Sequence, residues 1–530
     1  MLHAYAAKAK QYPGCKVGVF WDFMALPQRT TSTFEDRTEV QLARFRRALR
    51  GINVLYGNQR TTVLLVTTPI PEGSRNMQPY SGRGWCVTER AISGIIKDDT
   101  ALINLSLLSG SEQTVEEITA AGKAHREPPI SPDAFHAQLL SGSVNGSIKF
   151  TKSGDVSLVA SIYQRAFEQE LGTAAALFYS ELGWSDSDVH TLAVSLKEAF
   201  TKGLLKNMQK LDLESNQVSD IGVTELVRNC SKGVMHQLTS LDLNENRIGD
   251  DGARALASAC SEGALTCCTE LYLNGNLISD AGLESLIPHF NLGLRQLQCF
   301  GIATLITDSG AHRLAEVLTG GLFINLSFLT LSSNQVGDDG VVALADASRK
   351  GGLMQLEELY LYNNRIGDDG FSALIESSSL GCLPKLEELY IYRNVIGDRG
   401  FQVFADAYAT GSINHLKSVH LNDNTIGDVS ILYFTDRITR FAGKSANLCE
   451  LFLGDNSITE PVMQELSRAA RGASIKLTSA TTREDLVATY TRTSSRQMSN
   501  AGPEQVLVGG NKSRRPTRHE SRASLLGLAV

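Results

Sequence analysis

Two hydrophobic periods alternate along the second half of this chain. The sequence reads LTSLDLNENRIGDDGARALASAC from Leu238, LEELYLYNNRIGDDGFSALIESS from Leu356 and LEELYIYRNVIGDRGFQVFADAY from Leu386. Each copy opens with leucines two apart, the period of a strand with one buried face. Each closes with apolar residues three and four apart, the period of a helix. Nine copies fill residues 204–475, anchored by Asn216, Asn246, Asn276, Asn334, Asn364, Asn394, Asn424 and Asn456, with Thr304 in that place in a degenerate fourth copy. The spacings are 30, 30, 28, 30, 30, 30, 30 and 32 residues. One such unit cannot bury its apolar face alone but stacked neighbours can, so the pattern predicts a curved solenoid with strands on its concave side. GWSDSDVHTLAVSLKEAF (183–200) has the back half of the same pattern, so 157–203 is read as a helical segment and a cap.

Within a unit the leucines point inward. The asparagine side chain can bond backbone groups where the chain leaves the strand. Asp220, Asp250, Asp280, Asp308, Asp338, Asp368, Asp398 and Asp428 recur before the helical stretch, the place of an N-cap. The outward positions inside L-x-L read Asp212, Asp242, Tyr272, Gln298, Thr330, Tyr360, Tyr390, His420 and Phe452. Tyr362 and Tyr392 follow two residues on in repeats six and seven, and Glu358 and Glu388 precede. These tyrosines are expected to form an exposed concave patch. Tyr360, Tyr362, Tyr390, Tyr392, Glu358, Glu388, His420 and Phe452 are therefore the candidate protein-binding residues, because tyrosine concentrates binding energy.

The first hundred residues carry a different rhythm. KVGVFWDF (16–23), TTVLLVTT (61–68) and ALINLSLL (101–108) read as strands, and RTEVQLARFRRALRGINVLYG (37–57) and WCVTERAISGIIK (85–97) as helices. Alternating strands and helices predict a parallel α/β domain over 1–108. Residues 109–156, rich in Ser, Gly, Pro and charge, are read as a loose connector. SLVASIYQRAFEQEL (157–171) reads as an amphipathic helix, and 476–530 as a disordered tail rich in Arg and Ser.

Composition narrows the function. The 530-residue chain carries a net charge of −7, which disfavours nucleic acid as a partner. No apolar run is long enough to span a bilayer, so no membrane partner is expected. Nine cysteines, an odd count with no C-x-x-C pair, point to a reducing cytoplasmic compartment, with Cys230 and Cys260 as buried thiols on the helical side. No zinc, P-loop or other cofactor motif occurs, so neither metal nor cofactor is expected.

A repeat of this length with a full helix resembles the ribonuclease-inhibitor-like class of leucine-rich repeat, found also in NOD-like receptors and Ran GTPase-activating proteins. Those activators end in an acidic tail, whereas this chain ends in a basic one. The stretch PYSGRGWCVTERAI resembles the box before the third helix of TIR domains, with Tyr80, Trp85, Cys86 and Glu89 in matching places. The resemblance implies a flavodoxin-like N-terminal domain in which VFWDF is the second strand. It also implies that Glu89 is catalytic if the domain cleaves NAD. Arg90 replaces the usual leucine, and no strand precedes VFWDF in the place of the first. The expectation is a cytoplasmic recognition or scaffold protein that binds a protein on its concave repeat face. The alternatives are a TIR-type enzyme with NAD as substrate, and a GTPase regulator like the Ran activators.

Overall fold

The computed structural model describes residues 78–478 apart from 98, 151–153, 290–293, 303–304, 321–322 and 442–446; before these it describes 17–20, 38–41, 43–44, 56–58, 61–68 and 72, and after them 526–529. The chain divides into two units: Met1–Leu238 with Ser513–Val530, and Thr239–Lys512.

The first unit contains the predicted α/β sheet. Its strands are parallel, in the order Val17–Phe20, Leu526–Ala529, Thr62–Leu65, Leu102–Asn104. The C-terminal strand departs from the expected structureless tail. It is drawn from an apolar run, LLGLAV, of the kind that a strand flanked on both sides requires. Lys476–Thr478 is also a strand, and 479–525 lies outside the described residues. Most of the expected helix 37–57 lies outside them too.

The connector is not loose. Its Ser, Gly and Pro residues are helix punctuation. Thr114 and Glu117 form a capping box for helix Val115–Ala121. Ser131 caps helix Pro132–Asn145, which has Pro132 in its first turn and ends on Gly146 at φ 79°. That helix packs on Asp155–Thr173, the amphipathic helix expected at 157–171, with the Phe135 and Tyr163 rings 4.1 Å apart.

Arg126 fastens this region. It is 1 % exposed. Nε donates to Gly94 O at 2.8 Å and Nη1 to Phe178 O at 2.9 Å, with a further bond to Lys97 O. Its guanidinium lies 4.5 Å from the Tyr179 ring centroid. Trp184 Nε1 donates to Arg126 O at 2.7 Å, and Tyr179 Oη to Ile95 O at 2.6 Å. The carbonyls at the end of helix Gly84–Ser93, which lack intrahelical partners, thus find donors in Arg126 of the connector and Tyr179 of the cap repeat. The cap is a full strand–helix unit: strand Ala176–Phe178, unsignalled by leucine spacing, pairs in parallel with Lys210–Asp212 ahead of helix Asp186–Thr201.

In the second unit, parallel strands begin at Ser240, Glu270, Cys299, Phe328, Glu358, Glu388, Ser418, Glu450 and Lys476, each hydrogen-bonded to the next. Helices follow all but the last. The anchor asparagines bridge repeats. Asn394 Nδ2 donates to Leu361 O and Ile391 O at 3.0 Å, and its Oδ1 accepts from Ile366 N at 3.0 Å.

The aspartates are not caps of their own helices. The N-cap residues are Ser219, Gly249, Ser279, Thr307, Gly337, Gly367 and Gly397, one position earlier. The seven aspartates from Asp250 to Asp428 reach across to the next repeat: Asp338 Oδ1 accepts from Gly367 N at 2.7 Å and Gly370 N at 2.8 Å. A Cβ on Gly370 would stand 2.8 Å from that oxygen, which accounts for the second glycine of I-G-D-x-G. Where Ser430 replaces that glycine, its hydroxyl donates to Asp398 Oδ1 at 2.6 Å.

Candidate functional site

The face of the sheet turned away from the helices carries two rows of aligned side chains. Parallel register places Tyr272, Gly301, Thr330, Tyr360, Tyr390, His420 and Phe452 in one row. Beside it run Glu270, Cys299, Phe328, Glu358, Glu388, Ser418, Glu450 and Lys476. The fourth repeat is phased so that Gly301, not Gln298, faces outward. A Cβ there would meet the Asn274 amide at 2.4 Å, so a larger residue would displace that side chain.

Strand spacing in a sheet, about 4.8 Å, is close to the thickness of stacked rings, so in-register aromatics stack. Centroids are 4.1 Å apart for Tyr360–Tyr390, 4.1 Å for Tyr390–His420 and 3.9 Å for His420–Phe452. Phe328 extends the ladder diagonally onto Tyr360 at 4.9 Å. A second, shorter ladder pairs Tyr362 with Tyr392 at 4.5 Å. The stacking overturns the expected exposed patch. Tyr360, Tyr390, Tyr392 and His420 are 5 %, 7 %, 8 % and 8 % exposed because each ring covers the next. Tyr362 and Phe452 are half-buried.

Each central tyrosine is tied to the glutamate of its own strand. Tyr360 Oη donates to Glu358 at 2.9 Å, and Tyr390 Oη to Glu388 at 2.7 Å. Burial, and after it the charge of Glu388, pushes the Tyr390 pKa above the usual phenol range, so the hydroxyl keeps its proton as a donor. Two amide oxygens on this face, Asn274 Oδ1 and Asn422 Oδ1, are buried and accept no hydrogen bond. The expected site residues therefore come together. Gly301 is hidden in the sequence by the irregular fourth repeat, whereas Phe328, two residues before Thr330, takes the place that glutamate holds in repeats six and seven.

His420 is held neutral. Burial pushes its pKa down from 6.5 to about 3, and Ser418 Oγ lies 3.1 Å from its Nε2. An imidazole whose pKa is lower folded than unfolded takes up protons preferentially in the unfolded chain. His420 thus contributes stability that is full above about pH 6.5 and drains as pH falls toward 3. A His420→Phe variant should show a shallower loss of melting temperature across that window. An unchanged pH slope would contradict a neutral buried imidazole.

In the first unit, Glu89 is half-buried on helix Gly84–Ser93. Burial first, then the charges of Cys86 and Glu89, raises the Tyr80 hydroxyl pKa, so these three residues of the stretch PYSGRGWCVTERAI are neighbours. Arg90 bonds His125 O at 3.1 Å and pairs with Glu127 at 3.3 Å. Loop residues 21–37 and 73–77 lie outside the described residues. On the helical side Cys230 and Cys260 are buried, with pKa values that desolvation pushes up to about 12. The eight described cysteines are free thiols.

The leucine-rich repeat family pattern matches residues 205–227, 234–257, 324–345 and 412–434, so the chain carries leucine-rich repeats. No curated protein matches it. Among solved structures, it is similar to an internalin (inlF) of Listeria monocytogenes at 20 % identity, covering 60 % of this chain and 89 % of that one, with a TM-score of 0.29. Internalin C2 of the same organism gives 20 % identity, 59 % and 84 % coverage and a TM-score of 0.26. The Arabidopsis receptor kinase HAESA ectodomain, solved with a peptide hormone, gives 16 % identity, 53 % and 42 % coverage and a TM-score of 0.29. Among the described residues, no helix is long and apolar enough to cross a membrane.

Proposed function

We propose that this is a cytoplasmic recognition protein whose leucine-rich repeats, of the ribonuclease-inhibitor-like class, hold a protein partner on their concave strand face. Leucine-rich repeats generally mediate contact between proteins. The observation that carries the reading is the aromatic ladder with its tethered glutamates. Stacked rings and bonded carboxylates are fixed before a partner arrives, which lowers the ordering cost of binding. Half-buried Tyr362 offers the most accessible ring of the four tyrosines. With a partner in hand, Tyr362→Ala should weaken binding about tenfold or more. Leu380→Ala, at an exposed position on the helical side, should leave it unchanged. Equal effects of the two variants would move the site elsewhere.

The parallel sheet and the neighbouring Tyr80, Cys86 and Glu89 support a TIR-like N-terminal domain, read here as the signalling or scaffolding part. The same cluster favours a second reading, NAD cleavage by Glu89. The main reading expects no turnover above a Glu89→Ala control. Turnover that disappears in that variant would establish the second.

A further inference from the structure

We propose that the segment received by the strand face is cationic: an extended stretch of a partner protein with closely spaced arginine or lysine side chains. This rests on the reading of that face as the recognition surface, and deepens it by naming the partner's chemistry.

Three observations carry it. The first is charge. In the second unit the strand positions on this face hold Asp242, Glu270, Glu358, Glu388 and Glu450 against the single Lys476. Glu358 and Glu388 are direct register neighbours, and like charges side by side across strands repel. A cation between them would relieve both. The second is hydrogen-bond polarity. The Tyr360 and Tyr390 hydroxyl protons are committed to Glu358 and Glu388. Asn422, two residues beyond His420 and only 5 % exposed, holds a buried Oδ1 with no hydrogen-bond partner, and Asn274 Oδ1 is a second unused acceptor. A surface with acceptors to spare selects a donor-rich ligand, and ammonium and guanidinium groups carry only donors. The third is an internal precedent. Lys476, on the last strand, donates to Glu450 at 2.8 Å, showing how a cation sits against a glutamate of this row. The ring ladder adds aromatic surface along which a long cationic side chain can lie.

The test is selection of random dodecapeptides on the immobilised full chain, followed by affinity measurement at low salt. Selected peptides should be rich in Arg and Lys. Glu358→Gln with Glu388→Gln should weaken a selected peptide about tenfold or more, and Tyr362→Ala should weaken it as well. The charge-matched pair Glu376→Gln with Glu465→Gln, on the helices, should change it less than about twofold. Melting curves of both double variants establish that each remains folded. Neutral or acidic peptides that still depend on Tyr362 would overturn the cationic proposal and leave the recognition reading standing. So would an equal loss in the two double variants with Tyr362 dependence retained. Peptides indifferent to Tyr362→Ala would overturn both.

Discussion

Asn364→Ala is expected to lower the stability of the repeat unit by about 2–4 kcal/mol, an estimate from leaving more than one buried backbone group unpaired. The Asn364 amide nitrogen donates to Leu331 O at 2.8 Å and Leu361 O at 3.1 Å, and its oxygen accepts from Val336 N at 3.0 Å. Two of those three groups belong to the preceding repeat, so the truncation unties a junction between repeats. Water cannot easily replace the bonds, because Leu331, Leu361 and Val336 are fully buried. Asn246→Ala should act in the same direction. Denaturant titrations that found no loss for either would contradict the asparagine ladder.

Arg126→Ala should have the larger effect, about 3–5 kcal/mol on the first unit. Removing it strips donors from Gly94, Lys97 and Phe178 carbonyls at once and takes away the surface against which Tyr179 lies. Arg126→Lys should recover only part of the loss, since an ammonium cannot fork to carbonyls on separate segments. Full recovery by lysine would show that charge, not guanidinium geometry, is what the site needs. Hydrogen exchange at Ile92–Ile96 is the sensitive readout, because these amides lie in the segment that Arg126 ties.

The repeats were legible because two periods and a fixed asparagine recur. The spacing announced which residues are buried and which share a face. What it could not announce was how neighbours cover one another. Tyr360 and Tyr390 occupy outward positions as read, yet they are buried, because register brings identical rings into contact across strands. Exposure is a property of the stack, whereas a single repeat shows only direction. The aspartates misled for a related reason. Asp338 stands where a cap belongs, but the gap it fills is in the next repeat, some thirty residues on. The connector misled through composition: Thr114, Ser131 and Gly146 are helix punctuation, and the apolar contacts of Phe135 decide that the segment packs. In the N-terminal region the strands were legible from apolar runs. The strand at Leu526–Ala529 was not, since sequence order says nothing of pairing across so long a separation.

The most direct measurement is site-specific photocrosslinking. A benzophenone side chain placed at Tyr362, on the strand face, is compared with one at Leu380, on the helical side, in the full chain bound to a peptide or protein partner. Crosslinks at position 362 that are competed by unlabelled partner, with none at position 380, are the predicted result. Crosslinks at 380 with none at 362 would contradict the claim that the strand face is where this protein recognises its partner.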